Sequence, residues 1–383
     1  MVDFELTQEQ KAWQKKSRDF AEREIKPLSL KLDRDPSHEF NWDIVRKLAK
    51  EDLLFLSIPK KYGGSGLDPI TITLIIEELA VGDAGVAFTT TTNLYQPPQV
   101  AGNEKQKERF LPLICDQENP GLLSFVITEP GAGSDAAAIA TSAQLRGDEY
   151  VIRGTKCFIT NGGLARLYTV FANADRTKGA KGISAFIVPG DSPGLSRGKV
   201  EDKMGLRSSC TAELILDDVR IPRENLLGEI GSGFRIAMRY LDVARTTSCA
   251  AVALGLARAA FETAVGFFKR SPEKAKVTIG QQIISHSLAD MAAAIESSRL
   301  LVWKAAWLIE RELPVAKESA LAKFLASDMC MKVTADALQL LGLYGYTLEY
   351  PLEKYMRDAK ILQIYEGTNQ IQRTVASRDL LAN

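Results

Sequence analysis

Histidine is nearly absent from this chain: His38 and His286 are the two copies in 383 residues. A histidine-rich metal site or a Ser-His-Asp hydrolase therefore has little to work with, and no metal is expected. His286 falls in a helical pattern and reads as packed or surface. Cysteine is sparse as well. Cys115, Cys157, Cys210, Cys249 and Cys330 are odd in number and show no paired spacing. That argues against a disulfide framework or zinc site, and for free thiols in a reducing cytoplasm. Neither sign of charge is in excess, with 48 Lys+Arg against 48 Asp+Glu. Nucleic acid is not the expected partner of such a chain. No uninterrupted apolar run reaches the ~20 residues of a membrane span. Met1-Val2-Asp3-Phe4-Glu5 lacks an export or transit pattern. The expected location is cytoplasmic.

What is present is length and pattern. The chain is too long for one ordinary core and points to two or three domains. Its 45% hydrophobic and 25% charged content is that of a globular protein. The first third reads helical. Thr7-Gln8-Glu9-Gln10 is a capping box, with Trp13, Phe20 and Ile25 following at helical spacing. Further helices are predicted near 43–50, 69–81, 84–101 and 103–116. From about 122 to 228 the period changes to short β-rich runs. Gly147-Asp148 between apolar flanks signals a hairpin, and residues 184–188 and 214–216 read as strands. Long helices follow. Leu288, Met291, Ile295, Val302, Ala306 and Ile309 form an apolar seam, with breaks marked by Pro272, Gly280 and Pro314. The predicted fold is α+β multidomain: an all-helical domain (1–120), a small β-barrel or sandwich domain (121–229) and a four-helix-bundle domain (230–383).

Four segments carry candidate chemistry. The first is Gln363-Ile364-Tyr365-Glu366-Gly367-Thr368-Asn369-Gln370. Gly367 reads as a helix stop and Thr368 as the N-cap of a helix over 371–381. Glu366 then stands at a corner, where a helix C-terminus and burial would both raise its pKa toward that of a general base. Taken alone, the corner reads more simply as a solvated helix end. The second segment runs from Phe125 through Ile127, Thr128, Gly131 and Gly133 to Ser134-Asp135. Its glycines let a ligand approach the backbone, or simply make a turn. In the third, Lys156 to Gly163, Phe158 could stack on a flat ring or pack in a core, with Thr160 nearby. The fourth, Gln339-Leu340-Leu341-Gly342-Leu343, reads as a helix stop.

Together these segments resemble the acyl-CoA dehydrogenase family over essentially the whole chain. Lys203-Met204-Gly205-Leu206-Arg207 and Asp217-Asp218-Val219-Arg220-Ile221-Pro222 add to the resemblance. It implies FAD as cofactor and a helical–β–helical fold. It implies that Glu366 abstracts the α-proton of an acyl-CoA while flavin N5 takes the β-hydride, giving a 2-enoyl-CoA. Some relatives carry the base just before the family arginine; that arginine matches Arg245, and the preceding residue here is Ala244. Phe125, Ile127, Thr128, Phe158 and Thr160 match positions around the flavin ring, and Thr368 and Gln370 positions after the base. Arg270 and Gln339 match positions that hold the pyrophosphate and adenylate half across a subunit interface. Ser134, Asp242 and Arg245 match substrate-side positions; Tyr365 and Tyr95 are placed with them. Tyr95 either shortens the acyl pocket or packs in the first domain. An electron-transfer flavoprotein as acceptor and a homotetramer are also implied.

The chain departs from the family in three places, one of them Phe158, at a ring position often held by Trp. The usual Phe-Gly after the arginine is missing from Arg270-Ser271-Pro272-Glu273, and Leu343 stands where a second glycine is usual. Leu343 is expected to crowd the cofactor there. Two other readings stay open: the enoyl-CoA reductase direction, and a non-catalytic flavin or acyl-CoA-binding adaptor.

Overall fold

The computed structural model describes residues 5–37, 39–270 and 281–382. His38, the break between Pro272 and Gly280 and the motif residues after Arg270 lie outside them. The chain is a helical domain, a β domain and a second helical domain in that order.

The first domain holds α1 (Gln8–Phe20), α2 (Lys26–Arg34), α3 (Trp42–Lys50), α4 (Pro69–Gly82), α5 (Ala84–Thr91), α6 (Pro97–Ala101) and α7 (Glu104–Phe110). The Thr7 capping box is formed. α4 is buried almost all round, which places it at the centre of the domain packing. Its two glutamates, Glu77 and Glu78, share Arg258 at 2.7 and 2.8 Å and pair further with Arg299 and Arg18 at 2.8 and 3.1 Å. The helix predicted over 84–101 is two helices. The chain leaves α5 after Thr91 and turns through Tyr95, whose φ of 49° no helix can hold. The helix predicted over 103–116 ends at Phe110.

The β domain is one mixed sheet: β1 (Leu123–Val126), β2 (Ser142–Arg146), β3 (Glu149–Thr160), β4 (Leu167–Asn173), β5 (Ile183–Pro189), β6 (Leu195–Val200), β7 (Thr211–Pro222) and β8 (Leu226–Leu227). The strand order is β6-β7-β3-β2-β4-β5-β8, with β1 parallel to β4. The β2–β3 hairpin turns at Gly147, φ 62°, where a side chain would be strained.

The last domain runs through α8 (Gly233–Ala244), a wider π-type turn (Arg245–Ala250), α9 (Ala251–Arg270), α10 (Gln281–Glu310), α11 (Ala316–Leu341), α12 (Leu343–Tyr346), α13 (Leu352–Leu362) and α14 (Asn369–Ala382). An 18-residue window within 233–270 is apolar and long enough to cross a membrane by composition, and 61% of it is buried inside the protein. Of the predicted α10 seam, Met291, Ile295, Val302 and Ala306 are buried. His286 is exposed.

The Lys203–Arg207 segment docks the β domain onto α13. The Leu206 amide donates to Asp358 Oδ1 at 2.6 Å, and Arg357 donates to the Met204 carbonyl at 2.8 Å. A Cβ on Gly205 would lie 2.5 Å from the Arg357 carbonyl oxygen, so only glycine permits this approach. α13 leads directly into the Glu366 corner.

Candidate active site

α13 ends at Leu362, where Ile364 and Tyr365 amides bond back to the Ile361 carbonyl. Two left-handed residues follow: Glu366 at φ 54° and Gly367 at φ 90°. A glutamate there carries strain of about 1–2 kcal/mol and needs support from its surroundings. Four bonds supply it. Arg245 Nε and Gln372 Nε2 donate to the Glu366 carbonyl at 3.2 and 3.0 Å. Gln372 Nε2 and Lys323 Nζ donate to the Gly367 carbonyl at 3.1 and 2.9 Å. Thr368 Oγ1 then accepts from the Ile371 amide at 3.3 Å and caps α14.

The helix stop thus lies four residues before Glu366, not beside it. The dipole of α13 is not what raises its pKa. Glu366 Oε2 is closed to solvent and lacks a hydrogen-bond partner, although the residue keeps partial exposure. Burial pushes the carboxyl up to about 7; the Lys323 charge, the Ser248 hydroxyl and the Arg245 charge oppose it.

The π-type turn supplies the surroundings of Glu366, as such turns often do at working sites. Arg245 pairs with Asp242 at 2.8 Å. Burial raises the Asp242 pKa against the pull of Arg245. Ser248 Oγ donates to Thr91 Oγ1 at 2.8 Å. Tyr365 and Phe88 rings lie 4.7 Å apart. Tyr240 stacks on Phe125 at 4.6 Å, and Gln96 Nε2 donates to its hydroxyl oxygen at 2.9 Å. Burial, then the Glu366 charge, raises the Tyr240 pKa.

The β domain meets these surroundings at Phe125, which stacks on Tyr240. Phe158 lies at an irregularity of the β3–β7 pairing, with φ 56° and 65% of its surface exposed. A strained, exposed aromatic is poor core material and a good platform for a flat ligand. Thr128 and Thr160 are half-buried, and Ile127 is buried. Lys156, fully buried, donates to Glu129 Oε1 at 2.8 Å and to the Ile127 carbonyl at 2.9 Å. Glu129 also accepts from the amides of Ala140 and Thr141, which pins the loop leading to Ser134. A Cβ on Gly131 or Gly133 would meet no atom within 4 Å. These glycines answer to no protein neighbour.

The structure thus brings Glu366 together with Asp242, Arg245 and Tyr365, and ties the corner to the β domain through Tyr240 and Phe125. Ser134 is exposed at the loop tip. Arg270, Gln339 and Gln370 are exposed, and among the described residues no hydrogen bond or ion pair joins their side chains to the corner. No bond or ring contact among the described residues joins Tyr95 to Glu366; its amide donates to Ser57 Oγ at 3.0 Å. Leu343 crowds nothing in its own chain: it is 83% exposed, after a Gly342 with open space around it. Lys323, Gln372, Ser248, Phe88 and Tyr240 carried no distinct sequence signal, since each reads as ordinary helix filling. A cavity of about 420 Å³ lined by Phe40, Trp42, Arg197 and Cys210 shares no lining residue with the corner.

Residues 7–118, 124–219 and 231–381 match the N-terminal, middle and C-terminal domains of acyl-CoA dehydrogenase. The chain is 43% identical over 379 residues to the short-chain specific acyl-CoA dehydrogenase of Clostridium acetobutylicum, covering 98% of this chain and 99% of that one. It is 44% identical to the mitochondrial short-chain specific enzyme of Rattus norvegicus, covering 95% and 88%. It superposes on butyryl-CoA dehydrogenase from Megasphaera elsdenii with a TM-score of 0.93 at 43% identity, over 99% and 100% of the two chains. A chain of the structure reported for the electron transferring flavoprotein of Acidaminococcus fermentans gives 0.94 at 43% identity, over all of both chains. With all three domains matched in order and such identity throughout, this chain belongs to the acyl-CoA dehydrogenase family of flavoprotein oxidoreductases.

Proposed function

We propose that the chain dehydrogenates a short-chain acyl-CoA at the α,β position, with Glu366 as the base. One observation carries this reading: a carboxyl held in a left-handed corner, its Oε2 buried without a partner, with a pKa near 7. Such a group is ionised in much of the enzyme at neutral pH and basic enough to take a proton. The α-proton of a thioester is weakly acidic, so its carbonyl needs polarising. None of the corner bonds uses the Glu366 amide; we assign that N–H to the thioester oxygen. Arg245 and Gln372, by holding the Glu366 carbonyl, fix the direction of the carboxyl. Asp242 keeps Arg245 in place.

The residues present fit a flavin. Phe158 offers an exposed face, Thr128 and Thr160 offer hydroxyls, and Gly131 and Gly133 leave open a margin that a side chain would fill. FAD, when bound, supplies the acceptor for the β-hydride. Thr368 and Gln370 would sit on the same side as the base. Arg270 and Gln339 of one subunit would hold the adenylate half for another. Leu343, Tyr346 and Leu348, exposed by 83, 77 and 60%, support a subunit contact and the tetramer. Electrons would leave to an electron-transfer flavoprotein. The free thiols fit a reducing compartment such as the cytoplasm.

The Gly133→Val variant separates ligand fit from folding. Its Cβ meets no protein atom, so ligand-free melting should be unchanged within about 0.5 kcal/mol. Flavin affinity, read by fluorescence quenching, should fall about tenfold or more.

The activity itself is tested by anaerobic titration of flavin-loaded protein with straight short, branched, cyclic and medium-chain acyl-CoAs. Bleaching near ~450 nm, the oxidised flavin band, is expected with the short straight chains. The names of the relatives and the rings of Phe88, Tyr365 and Tyr240 around Glu366 both support that choice. No bleaching by any of them would favour the reductase direction or an adaptor.

A further inference from the structure

Beneath the Glu366 corner lies Lys323 of α11, fully buried. Its Nζ donates to the Gly367 carbonyl at 2.9 Å and to Asn369 Oδ1 at 2.8 Å. Both acceptors are neutral. Among the described residues no carboxylate lies within ion-pair distance of it. A buried ammonium without an ion pair is costly, and a Gln or Met would satisfy packing alone.

The acceptor is held in place for it. Asn369 Nδ2 is turned away toward Ser327 Oγ at 2.9 Å and Asp328 Oδ1 at 2.7 Å, which leaves Oδ1 to face Lys323. Asp328 is itself taken by Arg373 at 2.8 Å and by Gln363 at 2.6 Å. The other cation at the corner, Arg245, is matched by Asp242. Lys323 is the unmatched one.

We propose that Lys323 is a positioning residue for Glu366: its ammonium fixes the Gly367 carbonyl of the left-handed corner and supplies the positive charge that stabilises the carboxylate above it. The inference rests on Glu366 being the base. The groups facing Glu366 are Lys323 from α11, Arg245, Ser248 and Cys249 from the π-type turn, Tyr240 from α8 and Tyr365 of the corner itself. Of the cations, Lys323 exerts the larger pull on the carboxyl.

The test uses the flavin-loaded enzyme and three variants. Lys323→Gln keeps an N–H donor and removes the charge. Lys323→Met removes both, and Lys323→Arg keeps the charge. Loss of the cation disfavours the carboxylate. In the Gln and Met variants the acid limb of the kcat profile should therefore rise by on the order of one pH unit. Activity should recover above the new limb in Lys323→Gln, and the Arg variant should stay near the parent. The Glu366 carboxyl band, followed by infrared titration of ligand-free protein against Glu366→Gln, should move by the same amount. An unmoved midpoint in the folded Gln variant by both readouts overturns the proposal, whatever its melting temperature. Full turnover in Glu366→Gln would instead remove the base assignment, while the infrared titration would still report on Lys323.

Discussion

Glu366→Gln is expected to lower turnover by about 10³-fold or more and, at pH 8, to make the protein more stable. The first effect is the loss of the proton acceptor; a positioned general base contributes on the order of 10²–10⁴. The second follows from burial. The carboxyl titrates at about 7 in the folded chain against 4.5 for the free group. A group raised in this way has its full stability below pH 4.5 and loses it as pH rises through about 7. At roughly 1.4 kcal/mol per pH unit, ionising it at pH 8 costs the fold about 3 kcal/mol. Gln has the same shape and carries no such cost. The melting temperatures of the two proteins, compared without ligand, should therefore diverge between pH 5 and 8 and converge near pH 4. Retained turnover would dismiss Glu366 as the base. An unchanged stability difference across pH would show that the carboxyl is solvated after all.

Much of this architecture was legible in the sequence, because hydrophobic period and turn residues are local. The change from helical to alternating pattern near residue 122, the Gly147 turn and the α10 seam all depend on residues close in the chain. The failures share one cause. Tyr95 and Glu366 adopt positive φ with side chains that normally avoid it, under constraints imposed by residues distant in sequence. Arg245 reaches Glu366 across 121 positions and Lys323 reaches Gly367 across 44. No window on the sequence contains both partners. Gly367 and Thr368 mark the corner, but the corner alone reads as a solvated helix end. Of the two causes expected to raise the Glu366 pKa, burial holds and the helix end does not. That burial is among α11 and the π-type turn. Phe158 shows the converse. The sequence leaves it open between stacking on a flat ring and packing in a core, and its exposure and strained backbone argue against core packing.

Lys354→Met is expected to destabilise the protein by about 3–5 kcal/mol, the larger of the purely structural effects. Lys354 is buried between two buried aspartates, Asp83 at 2.9 Å and Asp358 at 2.5 Å. Burial works against the Asp83 charge, and the Lys354 ammonium with the Ser208 and Ser29 hydroxyls more than offsets it, so its pKa is lowered. Removing the ammonium leaves two carboxylates facing each other without water. The site also joins the whole molecule. Ser29 and Asp83 come from the first domain, Leu206 and Ser208 from the β domain, and Lys354 and Asp358 from α13. Adding Asp83→Asn and Asp358→Asn to Lys354→Met should recover part of the loss, because the unpaired charge and not the missing packing dominates it. Urea unfolding of the single and triple variants decides the matter. A single-variant loss under about 1 kcal/mol would mean that solvent or a shared proton relieves the pair. A loss that the added Asn residues do not reduce would assign it to packing. In the expected case activity falls further than stability explains, since α13 both bears this ion cluster and delivers the chain to Glu366.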